Sequence, residues 1–530
     1  MPVVQRSVLL ASLLAAVASA RIAATYPVFS FTIDEPGHFA CGLEFLSKHV
    51  YRYETQHPPL ARAMIALGPY LAGIRPLNDP NRNVEGRLVM LRSGHLERTL
   101  TLMRAGILPF FWLACAIVYL WSRRYFDETI ALTATGLFTL LPPILAHAGL
   151  ACTDMALAAV VGAAFYALVR WAERPGWKRG AMLGAATGLA VLTKFTALVY
   201  LPSAAAFAAL FYLVTVRPPP RRLADWVRER APSFAAAIFT GALVIWGGYW
   251  FSFGKVPVWN ISLPAPEFFD GLRDALSHNQ GGHPAYLLGK YSLHGWWYYF
   301  PLALGVKTPL PFLGMALFGI FCCARNFSLP GHRLLLAFGI GILLPAMAGH
   351  VDIGVRLILP LYIAMAILAA VGFVPLIRGS AAGRVIAALL LLWLVAAGAL
   401  RHPDYLSYFN ELAGSDPAKV LVDSDLDWGQ DTKRLATRLR ELDPPQVSLM
   451  LIEPLTWQLA VEKELQLYYR LPRILPADAS APHEGWTAIS PTVARTLALP
   501  FTPWYDKVPP TEKVGALWLY HFPVNGAVRP

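Results

Sequence analysis

The stretch TIDEPGHF, Thr32 to Phe39, places two adjacent carboxylates, Asp34 and Glu35, directly after an apolar N-terminal segment. Acidic side chains next to hydrocarbon are costly and are usually paired or functional. The interpretation of these two acids therefore depends on whether the apolar segment before them lies in a membrane, and that is decided by the rest of the chain.

Composition indicates a membrane protein. The chain has 530 residues, of which 56% are hydrophobic and 15% are charged, whereas a soluble protein carries about 25% charged residues. The apolar residues fall in blocks of roughly 18–24, the length that crosses about 30 Å of hydrocarbon. We therefore predict a mainly α-helical, polytopic transmembrane bundle. The five cysteines show no spacing typical of disulfides or zinc sites.

The apolar blocks predict about eleven membrane spans. They cover residues 8–26, 104–121, 129–147, 153–170, 180–193, 195–216, 233–251, 301–323, 333–349, 354–376 and 384–400. The first block contains Ala-Ser-Ala, so a cleavable signal peptide is the alternative to an uncleaved helix. Residues 181–216 are too long for one crossing at about 1.5 Å per residue, so Lys194 is expected at a turn or polar cavity between two helices.

The loops between alternate spans are basic, as in WSRRYF (residues 121–126) and RPPPRRLADWVRER (residues 217–230). The positive-inside rule assigns these loops to the cytoplasm. Topology and attraction to lipid headgroups then account for much of the net charge of +12. Membrane lipids are thus expected partners, and no nucleic-acid partner is predicted.

The opposite face carries two long loops, residues 32–101 and 252–300, and a hydrophilic C-terminal part. We expect a membrane domain over residues 1–400 and an extracytoplasmic α/β domain over residues 401–530. The unusual polar side chains all fall on this face. An enzyme that works at the outer surface of the membrane requires such segregation of polar side chains, although a transporter with an external vestibule could also show it.

Three carboxylates on this face are candidate catalytic groups. A partly desolvated Asp34 or Glu35 could act as a general base toward a hydroxyl or amine. The alternative is that these acids stabilise the N-terminus of a helix that begins at Pro36. Asp154 lies at the outer end of a span, where Thr153 and Asp154 could instead form a helix cap.

Three further side chains on this face are candidate ligands for an anion. His57 precedes two prolines that open an amphipathic helix over residues 54–73, and the free N–H groups of a helix start suit a phosphate. An ordinary helix start is the alternative. Lys194 and Arg356 lie at outer helix ends, where they could bind a lipid phosphate or extend to headgroups.

The segment HNQGGHPAYLLGKYSLHGWWYYF, residues 278–300, mixes histidines, glycines and aromatic residues. Its aromatic run is typical of a membrane-interface belt. His283 and Tyr286 are more suggestive of a pocket wall that binds substrate. Aromatic faces there would suit sugar rings or prenyl chains.

The acidic stretch LVDSDLDWGQD, residues 421–431, does not fit a calcium-binding EF-hand loop. Counted from Asp423, the positions that require glycine and glutamate hold Trp428 and Arg434. Further on, VSLMLIEP (residues 447–454) and ALWLYHFP (residues 516–523) alternate as strands do, which predicts a small α/β domain. The chain has no Walker loop, Rossmann fingerprint, His-Glu-x-x-His motif or nucleophile elbow.

Together these motifs resemble the GT-C membrane glycosyltransferases of glycosyltransferase family 39, the group of protein O-mannosyltransferases and lipid A aminoarabinose transferase. The resemblance runs from about residue 30 to 435. The segments that carry it are DEPGHFACGLEFL (34–46), HPPLARAMIAL (57–67), TDMALAA (153–159), LTKFTAL (192–198), GHPAYLLGKYSLHGWWYYFPLALGVKTP (282–309), VRLILPLY (355–362) and DSDLDWGQD (423–431).

This resemblance implies an enzyme of the bacterial inner (plasma) membrane whose active site faces the periplasm. It would transfer a hexose or pentose, with inversion, from a polyprenyl-phosphate-linked donor to a lipid, protein or glycan acceptor. Asp34 would be the catalytic carboxylate, with Glu35 completing the acidic pair and Asp154 as a second acid. His57, Lys194 and Arg356 would hold the donor phosphate.

A divalent metal ion is left open as a cofactor, because Gln56 stands where a relative has a metal-binding carboxylate. Two other functions are also open. A secondary transporter or flippase for a lipid-linked or anionic substrate would usually show internal repeats, and none is evident here. A non-catalytic scaffold is the third alternative.

Overall fold

The computed structural model describes residues 3–256, 259–451 and 468–523. The α-helices, in chain order, are α1 (Val3–Ala23), α2 (Glu35–Lys48), α3 (Pro59–Leu71), α4 (Arg82–Arg92), α5 (Leu96–Ala105), α6 (Leu108–Tyr125), α7 (Glu128–Leu140), α8 (Pro142–Ala148), α9 (Asp154–Glu173), α10 (Trp177–Val191), α11 (Ala197–Val216), α12 (Pro220–Gly248), α13 (Pro266–Gly281), α14 (Tyr299–Lys307), α15 (Leu310–Arg325), α16 (Pro330–Met347), α17 (Leu361–Arg378), α18 (Ala381–Ala399), α19 (Thr432–Leu442) and α20 (Pro491–Thr496). The strands are β1 (Phe253–Val256), β2 (Ile261–Pro264), β3 (Ala285–Leu287), β4 (Lys290–Ser292), β5 (Gln446–Met450), β6 (Arg473–Pro476), β7 (Gly485–Ile489), β8 (Glu512–Val514) and β9 (Leu517–Phe522).

The mainly α-helical, multi-span fold predicted from the sequence is confirmed. Within the described residues, eight helices are long and apolar enough to cross a membrane, or nine if the bent pair α7–α8 is one span. The other two predicted spans correspond to α10, which has 15 residues, and to the broken pair α14–α15. Each of these helices is by itself shorter than the roughly 20 residues of a full crossing, since α14 has 9 residues and α15 has 16.

Prolines break two of the predicted spans. The axes of α7 and α8 differ by 68°, and Leu141 between them is extended, with φ −73° and ψ 122°. Proline has no N–H group and disfavours a helical residue before it, so Pro142 ends α7 and begins α8. After α8, a turn over residues 149–153 leads directly into α9 and brings Asp154 to the start of α2.

Helix α10 packs closely against α12. A Cβ atom added to Gly180 would lie 2.0 Å from the Ser233 carbonyl oxygen, and one added to Gly184 would lie 2.1 Å from that of Ala237. Small residues at four-residue spacing allow two helix backbones to approach this closely. The turn that carries Lys194 follows from the end of α10.

The outer part of the molecule is built from the loops that the sequence predicted to be long. Helices α2, α3 and α4 pack on one another, and the second loop forms the hairpins β1–β2 and β3–β4 with α13 between them. The C-terminal part forms a mixed five-stranded sheet in the order β6-β5-β7-β9-β8. The predicted small α/β domain is confirmed; residues 452–454 of its first predicted strand lie outside the described residues.

Candidate active site

Four charged side chains from four separate segments form one network. Arg356 Nη1 lies 3.0 Å from Asp34 Oδ2 and 3.9 Å from Asp154 Oδ2. Lys194 Nζ lies 2.7 Å from Asp154 Oδ1. The structure therefore brings together two candidate catalytic acids and two candidate phosphate ligands that are up to 322 residues apart in the chain.

The Asp34 side chain is available to a substrate. It immediately precedes α2, yet within the described chain it accepts no capping hydrogen bond from that helix. Its side chain is 37% exposed and faces Arg356. The alternative interpretation, in which Asp34 serves the helix N-terminus through its side chain, does not match this geometry.

Asp154 is the first residue of α9 and is almost completely buried, with a side-chain exposure of 1%. Its Oδ1 accepts a hydrogen bond from Lys194, and its Oδ2 has no hydrogen-bond partner among the described residues. The two nearby cations compensate a charge that would otherwise be very costly to bury. Asp154 therefore holds Lys194 and Arg356 in place and does not itself face solvent.

Both cations are carried by tight turns, which keeps their positions fixed. Lys194 lies between α10 and α11, as the length of that apolar block predicted. Arg356 lies in a 3-10 turn, Val355–Ile358, which follows Gly354. Gly354 has a φ of +111°, and a Cβ atom there would lie 2.7 Å from Ser424 Oγ. A side chain at position 354 would therefore displace the turn that presents Arg356.

The acidic stretch of residues 423–431 contacts both the Arg356 side chain and the turn that carries it. The Arg356 guanidinium carbon lies 4.1 Å from the centroid of the Trp428 ring, a favourable cation–π contact. The Asp425 carboxylate accepts the Val355 N–H group at 3.2 and 3.3 Å. In the sequence, Trp428 served only to exclude a calcium-binding loop. Its place in DSDLDWGQD, one of the segments that carry the resemblance, could have indicated a role in the site.

The same stretch holds the backbone just before Asp34. The Ser30 N–H group donates to the Gln430 carbonyl and the Ile33 N–H group donates to the Trp428 carbonyl, each at 3.0 Å. Asp34 and Arg356 are thus both positioned by one segment near the C-terminal domain, which fixes their separation.

Glu35 has a different task from the catalytic one expected. It is completely buried, and it accepts hydrogen bonds from Arg104 Nε at 2.9 Å and Nη2 at 3.0 Å. The N–H groups of Thr32 and Ala151 donate to the same carboxylate at 2.7 and 2.8 Å. Because both oxygens accept hydrogen bonds and the side chain is completely buried, Glu35 anchors three segments and is not placed to take a proton from an acceptor.

His57 lies in a second charged cluster. Its Nδ1 is 3.4 Å from Glu54 Oε2, and Glu54 also pairs with Arg62 and Arg82. Arg62 Nε in turn donates to His38 Nδ1 at 3.0 Å. Burial lowers the pKa of His57, against the opposing effect of Glu54. Burial thus disfavours the charged form of His57.

Sequence reasoning did not single out the other members of this cluster as site residues. Although burial opposes it, the charge of Arg62 lowers the pKa of Glu54, so this carboxylate is ionised. The Arg82 side chain is 32% exposed, whereas Arg62 is completely buried. Arg62 lies in the HPPLAR segment, so the resemblance offered a signal for it.

Among the described residues, His283 and Tyr286 make no hydrogen bond or ion pair with Asp34. Hairpin β3–β4 is fastened to the C-terminal side of the chain, since the Leu288 N–H group donates to the Val420 carbonyl at 2.8 Å. Tyr286 is buried there, with its ring 5.9 Å from the Arg495 guanidinium. The role of Tyr286 in binding substrate stays a prediction.

His283 occupies an intermediate position. Its side chain is partly exposed, and Asp423 is within electrostatic range of both His283 and Arg356. Burial raises the pKa of Asp423, against the lowering effects of these two side chains.

As for a metal ion, residues 3–256, 259–451 and 468–523 contain no group of three or more His, Cys, Asp and Glu side chains arranged to hold one.

Comparisons with known proteins agree with this architecture. Residues 103–246 match the family model described as dolichyl-phosphate-mannose-protein mannosyltransferase. None of the curated proteins compared with the chain matches it.

Among solved structures, the fold is similar to that of ArnT from Cupriavidus metallidurans. The crystal structure of ArnT bound to undecaprenyl phosphate has a TM-score of 0.51 and 14% identity, over 96% of this chain and 97% of that chain. Its apo structure has a TM-score of 0.50 and 16% identity over the same shares. The archaeal oligosaccharyltransferase AglB from Archaeoglobus fulgidus has a TM-score of 0.47 and 13% identity, over 89% of this chain and 62% of that chain.

The chain thus has the fold of the GT-C membrane glycosyltransferases. The resemblance predicted from the sequence is confirmed, by the family model over residues 103–246 and by the ArnT-like fold over nearly the whole chain.

Proposed function

We propose that the chain is a membrane glycosyltransferase that moves a sugar from a polyprenyl-phosphate-linked donor to a hydroxyl or amine of an acceptor. The family model and the ArnT-like fold support this proposal, since the ArnT structure is described with bound undecaprenyl phosphate. The observation that carries it is the solvent-accessible Asp34 carboxylate in one network with two cations.

Arg356 and Lys194 are the groups that hold the donor phosphate. A guanidinium forms two parallel hydrogen bonds with a phosphate, and an ammonium adds a compact charge. In the leaving group, negative charge grows on the phosphate oxygen as its bond to the sugar breaks. Fixed cations at this position stabilise that charge without reorganising.

Asp34 is the general base. The acceptor oxygen or nitrogen attacks the anomeric carbon and gives its proton to Asp34 as the new glycosidic bond forms. The bond between the anomeric carbon and the phosphate oxygen breaks, its electron pair goes to that oxygen, and polyprenyl phosphate leaves. A single displacement of this kind inverts the configuration of the anomeric carbon.

Asp154 has a positioning role in this mechanism. Without a donor, Lys194 and Arg356 would repel each other, and Asp154 lies within 2.7 Å of the first and 3.9 Å of the second. When the donor phosphate binds, the cations already point at one place. Asp154 thus reduces the reorganisation that binding requires.

The orientation is part of the proposal. The basic loops that alternate along the chain lie on the side opposite to Asp34, which supports an active site on the periplasmic face of a bacterial plasma membrane. The acceptor would be a lipid, a protein or a glycan of that compartment. A polyprenyl-phosphate sugar needs no nucleotide-binding fold.

The test is turnover by the purified, reconstituted protein with a panel of polyprenyl-phosphate sugars. Release of polyprenyl phosphate and labelled acceptor are measured for the wild type, Asp34→Asn and Asp404→Asn. Asp404 is a matched control because its side chain is also 37% exposed and also pairs with an arginine, Arg434. Full transfer by Asp34→Asn would overturn the assignment of the base. Movement of the lipid across the bilayer without transfer would favour the transporter alternative.

A further inference from the structure

A cavity of about 350 Å³ lies where the end of α3, helix α4 and the start of α5 meet. Every charged side chain that lines it is a cation or a histidine. These side chains are Arg75, Arg92, His95 and Arg98. Ser93 and Thr99 add hydroxyl groups, and the remaining lining is apolar or glycine. The volume falls within the range of small-molecule sites, and the charges favour an anion.

Two of the arginines present their charge to this cavity. In the described part of the chain, Arg98 has no hydrogen bond or ion pair, and its side chain is exposed. Arg75 is held in place because its guanidinium lies 4.1 Å from the Tyr70 ring centroid and donates to the Tyr70 carbonyl at 2.7 Å. The position of Arg75 is therefore prepared before any ligand binds.

The length of the adjoining span places the cavity near the depth expected for lipid headgroups. Helices α5 and α6 form one span of 30 residues, Leu96–Tyr125, which is about 45 Å long, whereas the hydrocarbon core is about 30 Å thick. Helix α6 alone has 18 residues, about 27 Å, and carries charge only in its last turn. Because α5 carries Glu97, Arg98 and Arg104, we expect its first turns to be the part that projects from the hydrocarbon. Beside the cavity, Leu71 is 75% exposed and Leu77 is 47% exposed. Exposed leucines next to arginines are typical of a membrane interface.

The cavity is separate from the Asp34 network. The beginning of α3 is tied to the turn of Lys194, since the Leu60 N–H group donates to the Leu192 carbonyl at 2.9 Å. The cavity lies at the other end of α3, and 13 residues of helix span about 20 Å. No residue of the Asp34 network lines it.

From charge, volume and depth, we propose that this cavity binds the phosphate-bearing headgroup of an anionic membrane lipid, as a site distinct from that of the glycosyl donor. Arg98 and Arg75 bind the phosphate, and the acyl chains run over the exposed leucines. The Ser93 and Thr99 hydroxyl groups already donate to the Met90 and His95 carbonyls, so they line the cavity without donating to the phosphate. This inference concerns binding alone and does not depend on the glycosyltransferase function.

The test is equilibrium binding to the full-length chain in a non-ionic detergent, followed by native mass spectrometry. The probes are dioctanoyl-phosphatidylglycerol, dioctanoyl-phosphatidylcholine and inorganic phosphate. The variants are Arg75→Gln/Arg98→Gln and, as a matched control, Arg401→Gln, an exposed arginine at the outer end of α18. We expect the double variant to bind phosphatidylglycerol at least tenfold more weakly than the wild type, and the control to bind it equally well.

Three results would overturn the proposal. They are unchanged binding of phosphatidylglycerol by the double variant, equal binding of phosphatidylcholine by the wild type, and inorganic phosphate displacing phosphatidylglycerol at equal concentration, which would indicate a site for soluble anions. Thermal unfolding of each variant checks folding. If the double variant does not fold, Arg98→Gln alone decides, since this exposed side chain makes no contact that supports the fold.

Discussion

Asp34 and Glu35 are neighbours in the chain, and each carboxylate lies about 3 Å from an arginine, yet the two ion pairs differ in their surroundings. Glu35 and Arg104 have side-chain exposures of 0% and 1%, and two backbone N–H groups complete the hydrogen bonds of Glu35. Asp34 has an exposure of 37% and its partner Arg356 of 9%. The buried Glu35–Arg104 pair, whose carboxylate has all its hydrogen bonds made, can only stabilise the structure. The partly exposed Asp34–Arg356 pair can exchange one of its partners for a substrate.

The largest effect is expected for Asp34→Asn. Without a carboxylate to accept the proton, the rate of transfer should fall by roughly 10³-fold, within the usual contribution of a general base. Donor binding and the thermal unfolding temperature should change little, because the side chain is exposed and makes one ion pair. Initial rates and thermal unfolding test this; a rate within tenfold of the wild type would contradict the comparison.

A smaller loss is expected for Arg356→Gln. Removal of one group that stabilises the leaving phosphate typically costs about 10²-fold in rate, and the KM for the donor should also rise. Arg495→Gln is a suitable control, since Arg495 lies 5.3 Å from the Trp518 ring in a similar stacked arrangement outside the network. Steady-state kinetics of both variants measure the effect. Equal kcat/KM values for Arg356→Gln and Arg495→Gln would show that Arg356 does not contact the donor phosphate.

Glu35→Gln should affect stability more than chemistry. Removal of one partner of a buried ion pair costs about 3 kcal/mol or more of unfolding free energy, because Arg104 would remain buried without a counter-charge. Transfer per folded molecule should stay within about tenfold of the wild type. Thermal unfolding and rates normalised to folded protein separate the two effects. A large loss of rate with unchanged stability would reverse the assigned roles of Glu35 and Asp34.

The smallest effect concerns a buried acid of the C-terminal part. Burial raises the pKa of Asp431 to about 6, above the ordinary value near 3.9. The folded state therefore binds more protons than the unfolded state between about pH 4 and 6, so stability falls as the pH rises through this range. We expect Asp431→Asn to reduce this pH dependence by an amount of the order of 2 kcal/mol.

Unfolding temperatures of the wild type and Asp431→Asn at pH 5 and pH 7.5 provide the measurement for that prediction. The wild type should unfold at a higher temperature at pH 5 than at pH 7.5. The difference between the unfolding temperatures at the two pH values should be smaller for the variant. An identical difference in both proteins would mean that Asp431 is not the titrating group.

Part of this architecture was predictable from local sequence patterns. Apolar blocks located the helices, since the length and hydropathy of a span are local properties, and the basic loops assigned Asp34, Asp154, Lys194 and Arg356 to one face. The breaks at Pro142 and Pro309 were not predicted, because a hydropathy average over about 19 residues does not register a bend.

The contacts within the site could not be predicted in the same way. The different fates of Asp34 and Glu35 depend on Arg104 and Arg356, which are 69 and 322 residues away. The support that Trp428 gives to Arg356 is likewise a tertiary contact with no local signal. The sequence predicted which side chains lie on the same face of the membrane domain. It could not predict which of them form pairs, because those pairs depend on how the helices pack.

The attachment of residues 428–430 to the backbone of residues 30 and 33 also has a consequence for biogenesis. Proteins are made from the N-terminus, and their domains generally fold in that order. A nascent chain that already contains Asp34, Asp154, Lys194 and Arg356 still lacks the indole ring and carbonyl groups that hold two of them. We therefore expect the charged network to reach its final geometry only after residues 428–430 have been synthesised.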